Sequence, residues 1–252
     1  MKQKISFLKK PNLPEHDVAV AAMSCTYPFL AEALQKYGVR VLAVPQSGRL
    51  SRPVSSHADM ICHHLGGNSI LVLRGEESFG SSLNELGFHT FPTEKIPGKE
   101  YPSDVLLNAA RIGNKVLLHP SYVDPCLLMR LRKQNVTMTE VKQGYTKCSC
   151  ALVAEHAIIT SDQGIYRASM QNDFDVLLIS PGNIKLEGYP YGFIGGCCGL
   201  IGSKTLAFTG SLSNHPDGKN IMKFLSKHKV NTVFLSEGPL IDIGGIVPLK
   251  EY

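Results

Sequence analysis

The side chains best suited to covalent chemistry in this sequence are its cysteines. There are seven of them, an odd number that includes a C-x-C and a C-C pattern: Cys25, Cys62, Cys126, Cys148, Cys150, Cys197 and Cys198. These spacings are not typical of a secreted disulfide framework, so we expect reduced thiols. A reduced thiol can act as a nucleophile beside a histidine or can bind a metal ion. The sequence therefore raises two kinds of chemistry, nucleophilic catalysis and metal binding.

Length and composition narrow the class of protein. The 252 residues are 43% hydrophobic and 19% charged, with 23 Gly and 15 Pro, which excludes disorder, collagen and coiled coil. The net charge of +5 is spread along the chain, which is more typical of a solvated surface than of a nucleic-acid interface. Neither a signal-peptide pattern nor a run of about 18 apolar residues occurs. We therefore expect a cytoplasmic protein without a nucleic-acid or membrane partner.

A repeat along the chain would position these side chains. Four segments share a short apolar run, a turn and a second apolar run, and they begin at Ala58, Ser103, Lys147 and Tyr191. Their starts lie 45, 44 and 44 residues apart. Each segment is followed by a stretch of helical period, such as the one from Asp124, and then by another strand pattern. The repeat predicts ββαβ units.

The two ends of the chain complete a fifth unit. Residues 17–45 read as a strand, a helix and a strand that lack a first strand, and the segment from Leu240 supplies one. We therefore predict that residues 241–247 pair with residues 17–22.

Closure of this kind predicts one domain over residues 1–252, an α/β fold in the form of a five-bladed α/β propeller. Polar residues on the first strands would face a central channel. A doubly wound α/β sheet is the alternative architecture for the same alternation of helices and strands.

Three of the units carry motifs that can be compared with known families. The sequence reads HADMICHHLGGNSILV from His57, LLNAARIGNKVLLH from Leu106 and VKQGYTKCSCALV from Val141. In this order they resemble the catalytic-histidine strand, the following blade and the nucleophile strand of the pentein superfamily of guanidino-group-modifying enzymes. The motifs are most similar to those of dimethylarginine dimethylaminohydrolases and arginine deiminases. Five ββαβ units in a ring are the fold of that superfamily, so the resemblance implies the same fold.

The resemblance also implies roles for individual residues. Cys148 matches the nucleophile and His57 the acid/base, and the 91 residues between them span two blades, as in the superfamily. Asp59 and Asn108 are implied as substrate-binding residues. Asp59 lies two residues after His57, so on a strand both side chains would share a face.

The sequence departs from the superfamily's pattern in two ways. The nucleophile strand is the superfamily's last element, whereas two units follow it here, which implies a circular permutation by two blades. The acid pair that would hold a guanidinium is replaced by Gly195 and Gly196. The assisting acid matches Asp242 in IDIGG, with Glu187 in LEG as the alternative.

The implied activity is that of a cysteine-dependent hydrolase. It would act on a guanidino or amidine-type small molecule through a covalent thiouronium-like intermediate. The expected partner is a small cationic or amidine-like substrate, and the match implies neither a cofactor nor a metal. The sequence carries no information on the oligomeric state.

Two other functions are compatible with the same channel. A non-catalytic scaffold with the pentein fold, like the initiation factor 6 group, would explain the missing acid pair. A metal site would use the cysteines together with His63 and His64. The glycine-rich GGCCGLIG from Gly195 lacks the Lys-Ser/Thr ending of a phosphate-binding loop, so we expect its glycines to allow close approach of strands at the axis.

Overall fold

A computed structural model describes residues 4–252. The strands in this range are β1 Ser6–Phe7, β2 Val18–Ser24, β3 Arg40–Val44, β4 Cys62–Gly66, β5 Ser69–Val72, β6 His89–Pro92, β7 Ala110–Ile112, β8 Lys115–Leu118, β9 Thr137–Glu140, β10 Cys150–Ala154, β11 Ala157–Thr160, β12 Asp175–Leu178, β13 Cys198–Gly202, β14 Thr205–Phe208, β15 Asn231–Phe234 and β16 Val247–Glu251. The α-helices are α1 Pro28–Gln35, α2 Ala58–Ile61, α3 Glu77–Glu85, α4 Pro125–Lys133, α5 Gln163–Met170 and α6 Gly218–Lys227. Short 3₁₀ turns lie at Arg52–Val54, Ile194–Cys197 and Leu212–Asn214.

The strands of residues 4–252 form five small sheets, one for each predicted unit. In the sheet of β4, β5 and β6, the first pair is antiparallel and the second pair is parallel. Three other sheets repeat this arrangement. An antiparallel pair needs only a tight turn, whereas a parallel pair needs a crossover, which a helix supplies in each unit. The five ββαβ units are confirmed.

The fifth sheet joins the two ends of the chain in the order β1-β16-β2-β3. β16 takes the place of a first strand and pairs antiparallel with β2, with Val247 opposite Ala22. The closure is therefore as predicted, but the predicted boundary is wrong, because the strand begins at Val247 and residues 242–246 are a loop with a bend at residues 243–244. Gly244 and Gly245 have φ values of +73° and +74° there, which extended strands do not adopt.

Contacts between neighbouring sheets close the ring. β13 contacts β10 on one side and β16 and β2 on the other, β10 contacts β7, and α2 contacts β2. His63 Nδ1 lies 3.2 Å from the carbonyl oxygen of Leu107, which links the remaining two sheets. The five-bladed α/β propeller is confirmed. The doubly wound alternative is wrong, because parallel pairing stays within each small sheet.

The inner strands begin later than the sequence predicts, and short turns precede them. Asp59 lies in the first turn of α2, and His57 is the residue that caps this helix, with φ −69° and ψ 120°. The prediction that both residues lie on one strand face is therefore wrong. A second turn, Ile194–Cys197, precedes β13 in the same way. The side chains nearest the axis thus come from these turns.

Apolar side chains in these elements form several clusters between the blades. All seven residues of β2 are buried, as expected for a strand covered on both faces.

Among residues 4–252, no helix combines the length and the hydropathy needed to cross a bilayer.

Candidate active site

The turns before three inner strands bring Cys148, His57 and Asp242 to the wall of one cavity. This cavity has a volume of about 270 Å³. The three residues are almost completely buried, with exposed fractions of 3%, 3% and 2%. They precede β10, β4 and β16, so the cavity lies where three blades meet.

Two side chains hold the Cys148 sulfur in place. Its Sγ donates a hydrogen bond to Asp59 Oδ2 at 3.2 Å, and Asn108 Nδ2 donates to Sγ at 3.1 Å. Burial, together with the nearby carboxylates of Asp59 and Asp242, raises the pKa of Cys148 well above its ordinary value. The sulfur is therefore a thiol in the absence of a bound cation.

Asp59 is a buried carboxyl beside this thiol. Burial raises its pKa to about 7, while the positive charge of Lys147 opposes the shift. The Lys147 ammonium is itself buried and donates to the Gly195 carbonyl oxygen at 3.3 Å. Sequence reasoning missed Lys147. The available signal was a lysine placed directly before the matched cysteine at the start of an apolar strand.

Asn108 connects the Cys148 turn to the Asp59 turn. Its Oδ1 accepts from the backbone N–H groups of Lys147 at 2.8 Å and Cys148 at 3.2 Å. Its Nδ2 donates to Cys148 Sγ and to the Asp59 carbonyl oxygen, and the residue is 0% exposed. The oxygen and the nitrogen of this amide both have hydrogen-bond partners within the protein, so few donor or acceptor positions remain for a ligand. These hydrogen bonds support a positioning role for Asn108, and its contact with substrate stays a prediction.

Asp242 faces the imidazole of His57. Its Oδ1 lies 3.8 Å from His57 Nδ1, which has no hydrogen-bond partner among residues 4–252. Backbone N–H groups of Phe193 and Gly244 donate to Oδ2 at 2.8 Å and to Oδ1 at 3.0 Å. Burial lowers the pKa of His57, although Asp242 opposes this. The imidazole is therefore neutral and has a ring nitrogen without a hydrogen-bond partner among residues 4–252.

Glu187, the alternative acid, lies elsewhere. It is exposed and lines a second cavity of about 290 Å³, which shares His57 and Asp242 with the first. Asp242 is buried and lies 3.8 Å from His57 Nδ1, whereas Glu187 is exposed, which favours Asp242 as the partner of His57.

The glycines at the expected acid pair have no space for side chains. A Cβ on Gly195 would lie 2.3 Å from the carbonyl oxygens of Lys147 and Cys150. A Cβ on Gly196 would lie 1.9 Å from Asp242 Oδ1. The prediction of close approach at the axis is confirmed, and Asp242 occupies the space beside Gly196.

The rest of the cavity wall is apolar and aromatic, which sequence reasoning also missed. It consists of Val54, Tyr145, Leu186, Tyr189, Pro190, Tyr191 and Phe193. The Phe193 ring centroid lies 6.1 Å from that of Tyr145 and 6.3 Å from that of Tyr191. The signal was the aromatic YPYGF stretch directly before the fourth repeat segment's glycines.

The side chains considered for a metal site do not converge. Within residues 4–252, no group of three or more His, Cys, Asp or Glu side chains is placed to hold a metal ion. His63 and His64 each have one ring nitrogen near a backbone carbonyl oxygen, at 3.2 and 2.9 Å. These side chains therefore give the metal-binding alternative no support.

Solved structures with the same fold are guanidino-group enzymes by name. One is DDAH from Pseudomonas aeruginosa, complexed with citrulline, with 12% identity, a TM-score of 0.56 and coverage of 89% of this chain and 92% of that chain. A second is agmatine deiminase from C. jejuni, with 11% identity, a TM-score of 0.54 and coverage of 94% and 92%. A third is inosamine-phosphate amidinotransferase from Streptomyces griseus, with 12% identity, a TM-score of 0.52 and coverage of 93% and 92%. At this identity the likeness concerns the fold.

Sequence comparison adds the family. No curated protein matches the chain by sequence. Residues 24–247 match the family of unknown function DUF6873. The structural neighbours confirm the predicted pentein fold, whereas the circular permutation stays a prediction because these figures give the extent of each match and not its blade order. The chain belongs to the family of unknown function DUF6873 and has the pentein fold.

Proposed function

We propose that this protein is a cysteine-dependent hydrolase of a small guanidino or amidine compound. Cys148 is the nucleophile, His57 the acid/base and Asp242 the carboxylate that stabilises the protonated imidazole. The observation that carries the proposal is that all three side chains, buried and from different blades, line one cavity of substrate size.

The proposed reaction balances with these groups alone. Neutral His57 accepts the thiol proton, the sulfur forms a bond to the amidine carbon, and the C=N π electrons move to nitrogen. The imidazolium, 3.8 Å from Asp242, gives its proton to the leaving nitrogen, and the C–N bond breaks to release ammonia or an amine. Water then adds to the carbon and gives a proton to His57. The C–S bond breaks, the sulfur takes the hydroxyl proton as the carbonyl forms, and the proton on His57 departs with the released base.

The charge of the site supports a cationic substrate. Asp59 and Asp242 contribute two buried carboxyls, and Lys147 contributes one buried ammonium. A bound amidinium would lower the pKa of Cys148, because a positive charge near the sulfur favours the thiolate. Once Asp59 is protonated it can donate a hydrogen bond to that thiolate across the present 3.2 Å contact. The fold neighbours named for agmatine and for dimethylarginine chemistry support the same class of substrate.

The test is release of ammonia or amine from a panel of guanidino and amidine compounds. We expect turnover that Cys148→Ala abolishes and that His57→Gln reduces by about 10² to 10⁴-fold. Cys150→Ala is the matched control, because it removes an equally buried thiol two residues along the chain. Turnover that persists unchanged in Cys148→Ala would refute the assignment.

A binding scaffold is the second candidate, and the glycines at the expected acid pair favour it. Gly195 and Gly196 leave no room for carboxylates that would grip a guanidinium. A scaffold would release nothing from any compound of the panel and would bind a larger partner independently of Cys148.

A further inference from the structure

The cavity beside Cys148 has one wall of polar, reactive side chains, and its other walls are apolar or aromatic. Cys148, His57 and Asp242 are its reactive side, and the remaining lining side chains are apolar or aromatic. No lysine or arginine is among the lining residues in the part of the chain that the structure describes. The hydroxyl of Tyr145, which would be a polar group on this wall, is engaged in a hydrogen bond to Asp104.

Such a wall favours apolar groups and disfavours anions. A carboxylate placed there would lose its hydration without gaining a cationic partner, which is costly. An alkyl or aryl group would instead exchange water for contact with Tyr145, Tyr191 and Phe193, and ring edges and faces at these spacings suit a second aromatic group. Aromatic faces also attract a flanking guanidinium through cation–π interaction.

The volume sets an upper limit on the substituent. At about 270 Å³ the cavity is slightly smaller than the usual small-molecule site, whose volume is roughly 300–1,000 Å³. It suits an amidine head with one short alkyl chain or one ring.

The neighbouring cavity is the place where a polar substituent would have to go. Arg52, Glu187 and Thr26 are exposed at this cavity, whereas Ser24 and Ser56 are buried. The hydroxyls of Ser24, Thr26 and Ser56 are hydrogen-bonded to one another at 2.5 to 3.1 Å. This cavity shares His57 and Asp242 with the first but does not include Cys148. When the reacting carbon lies at the Cys148 sulfur, an apolar substituent on that carbon therefore enters the cavity lined by aromatic side chains.

We propose that the substrate of the Cys148 site is a guanidine or amidine with one apolar alkyl or aryl substituent and no carboxylate. This inference rests on the hydrolase function proposed above. It selects against amino-acid substrates, whose carboxylate has no cationic partner among the side chains that line this cavity.

The test compares two guanidines of equal length, an N-alkylguanidine and the ω-guanidino acid with the same chain. We expect kcat/KM to favour the alkyl compound by at least tenfold. In Cys148→Ala, which cannot turn over, calorimetry should show the same preference in Kd. Tyr191→Ala should weaken the alkyl compound at least threefold, whereas Tyr37→Ala, another exposed tyrosine, should leave it unchanged.

The outcomes separate the two proposals. Equal or better use of the guanidino acid, lost in Arg52→Met, would overturn the substrate class and leave the hydrolase intact, provided that turnover needs Cys148. Absence of both turnover and binding for every compound would overturn both proposals.

Discussion

At the scale of single residues, the site depends on how burial sets protonation. His57 and Cys148 are neutral because burial disfavours their charged forms, and burial raises the pKa of Asp59 to about 7. A bound substrate cation would add one positive charge to the site and would shift the protonation equilibria of these groups together. Sequence alone could nominate Cys148, His57 and Asp242 by their resemblance to family motifs, but it could not reveal their burial. That depends on blades far away in the chain.

Asp59 should make stability depend on pH in a defined direction. Its pKa is raised from 3.8 to about 7, so the folded state holds this proton at pH values where the unfolded state has lost it. The resulting stability is fully present below about pH 4 and is lost as pH rises through about 7, with a limit of about 4 kcal/mol. We expect the free energy of unfolding of the wild type, relative to Asp59→Asn, to fall across this window in denaturant titrations. Parallel curves for the two proteins would refute this account of Asp59.

At the scale of elements, the turns before the inner strands carry the chemistry. The alternation of strands and helices was predictable because its 44-residue spacing and apolar periods are local signals. The starts of β4 and β16 were not, because α2 and the left-handed glycines before β16 are stabilised by contacts across the axis. The aromatic YPYGF stretch is visible in the sequence, but its place on the cavity wall depends on residues of other blades, such as Val54 and Tyr145.

The Ile194–Cys197 turn should tolerate no added side chain at Gly196. A methyl group there would meet Asp242 Oδ1 at 1.9 Å and force the carboxylate away from His57. We expect Gly196→Ala to destabilise the protein by roughly 1–3 kcal/mol and to reduce any His57-dependent turnover. Gly48→Ala is the control, because no atom lies within 4 Å of the added Cβ. If thermal unfolding showed both variants equally stable, the close packing at the axis would be misdescribed.

At the scale of the whole molecule, both chain ends share one sheet. The pairing of β16 with β2 was predictable because each end read as an incomplete unit. The order of blades relative to the named fold neighbours was not, since five similar units can be aligned in more than one rotation. The sequence motifs favour a rotation that places Cys148 at the position of the superfamily's nucleophile.

Removing β16 tests the closure of the ring. Truncation after Ile246 would leave β2 without its antiparallel partner and open an internal sheet edge. We expect loss of cooperative unfolding and a tendency to aggregate, measured by circular dichroism and light scattering. A truncated chain that unfolds with the wild-type midpoint would show that the C-terminal strand is dispensable.

The central claim is that Cys148 is a nucleophile directed at amidines, and site-mapped alkylation tests it most directly. The protein would be treated near neutral pH with a small haloalkyl amidine and, separately, with the uncharged haloalkyl amide of the same size, and the adducts located by mass spectrometry. We predict that the amidine labels Cys148 faster than the exposed Cys25, that a guanidine competitor blocks the labelling, and that the amide labels Cys148 slowly. Cys150→Ala should behave like the wild type. Labelling confined to Cys25 and Cys126, or equal rates at Cys148 for the amidine and the amide, would contradict the account.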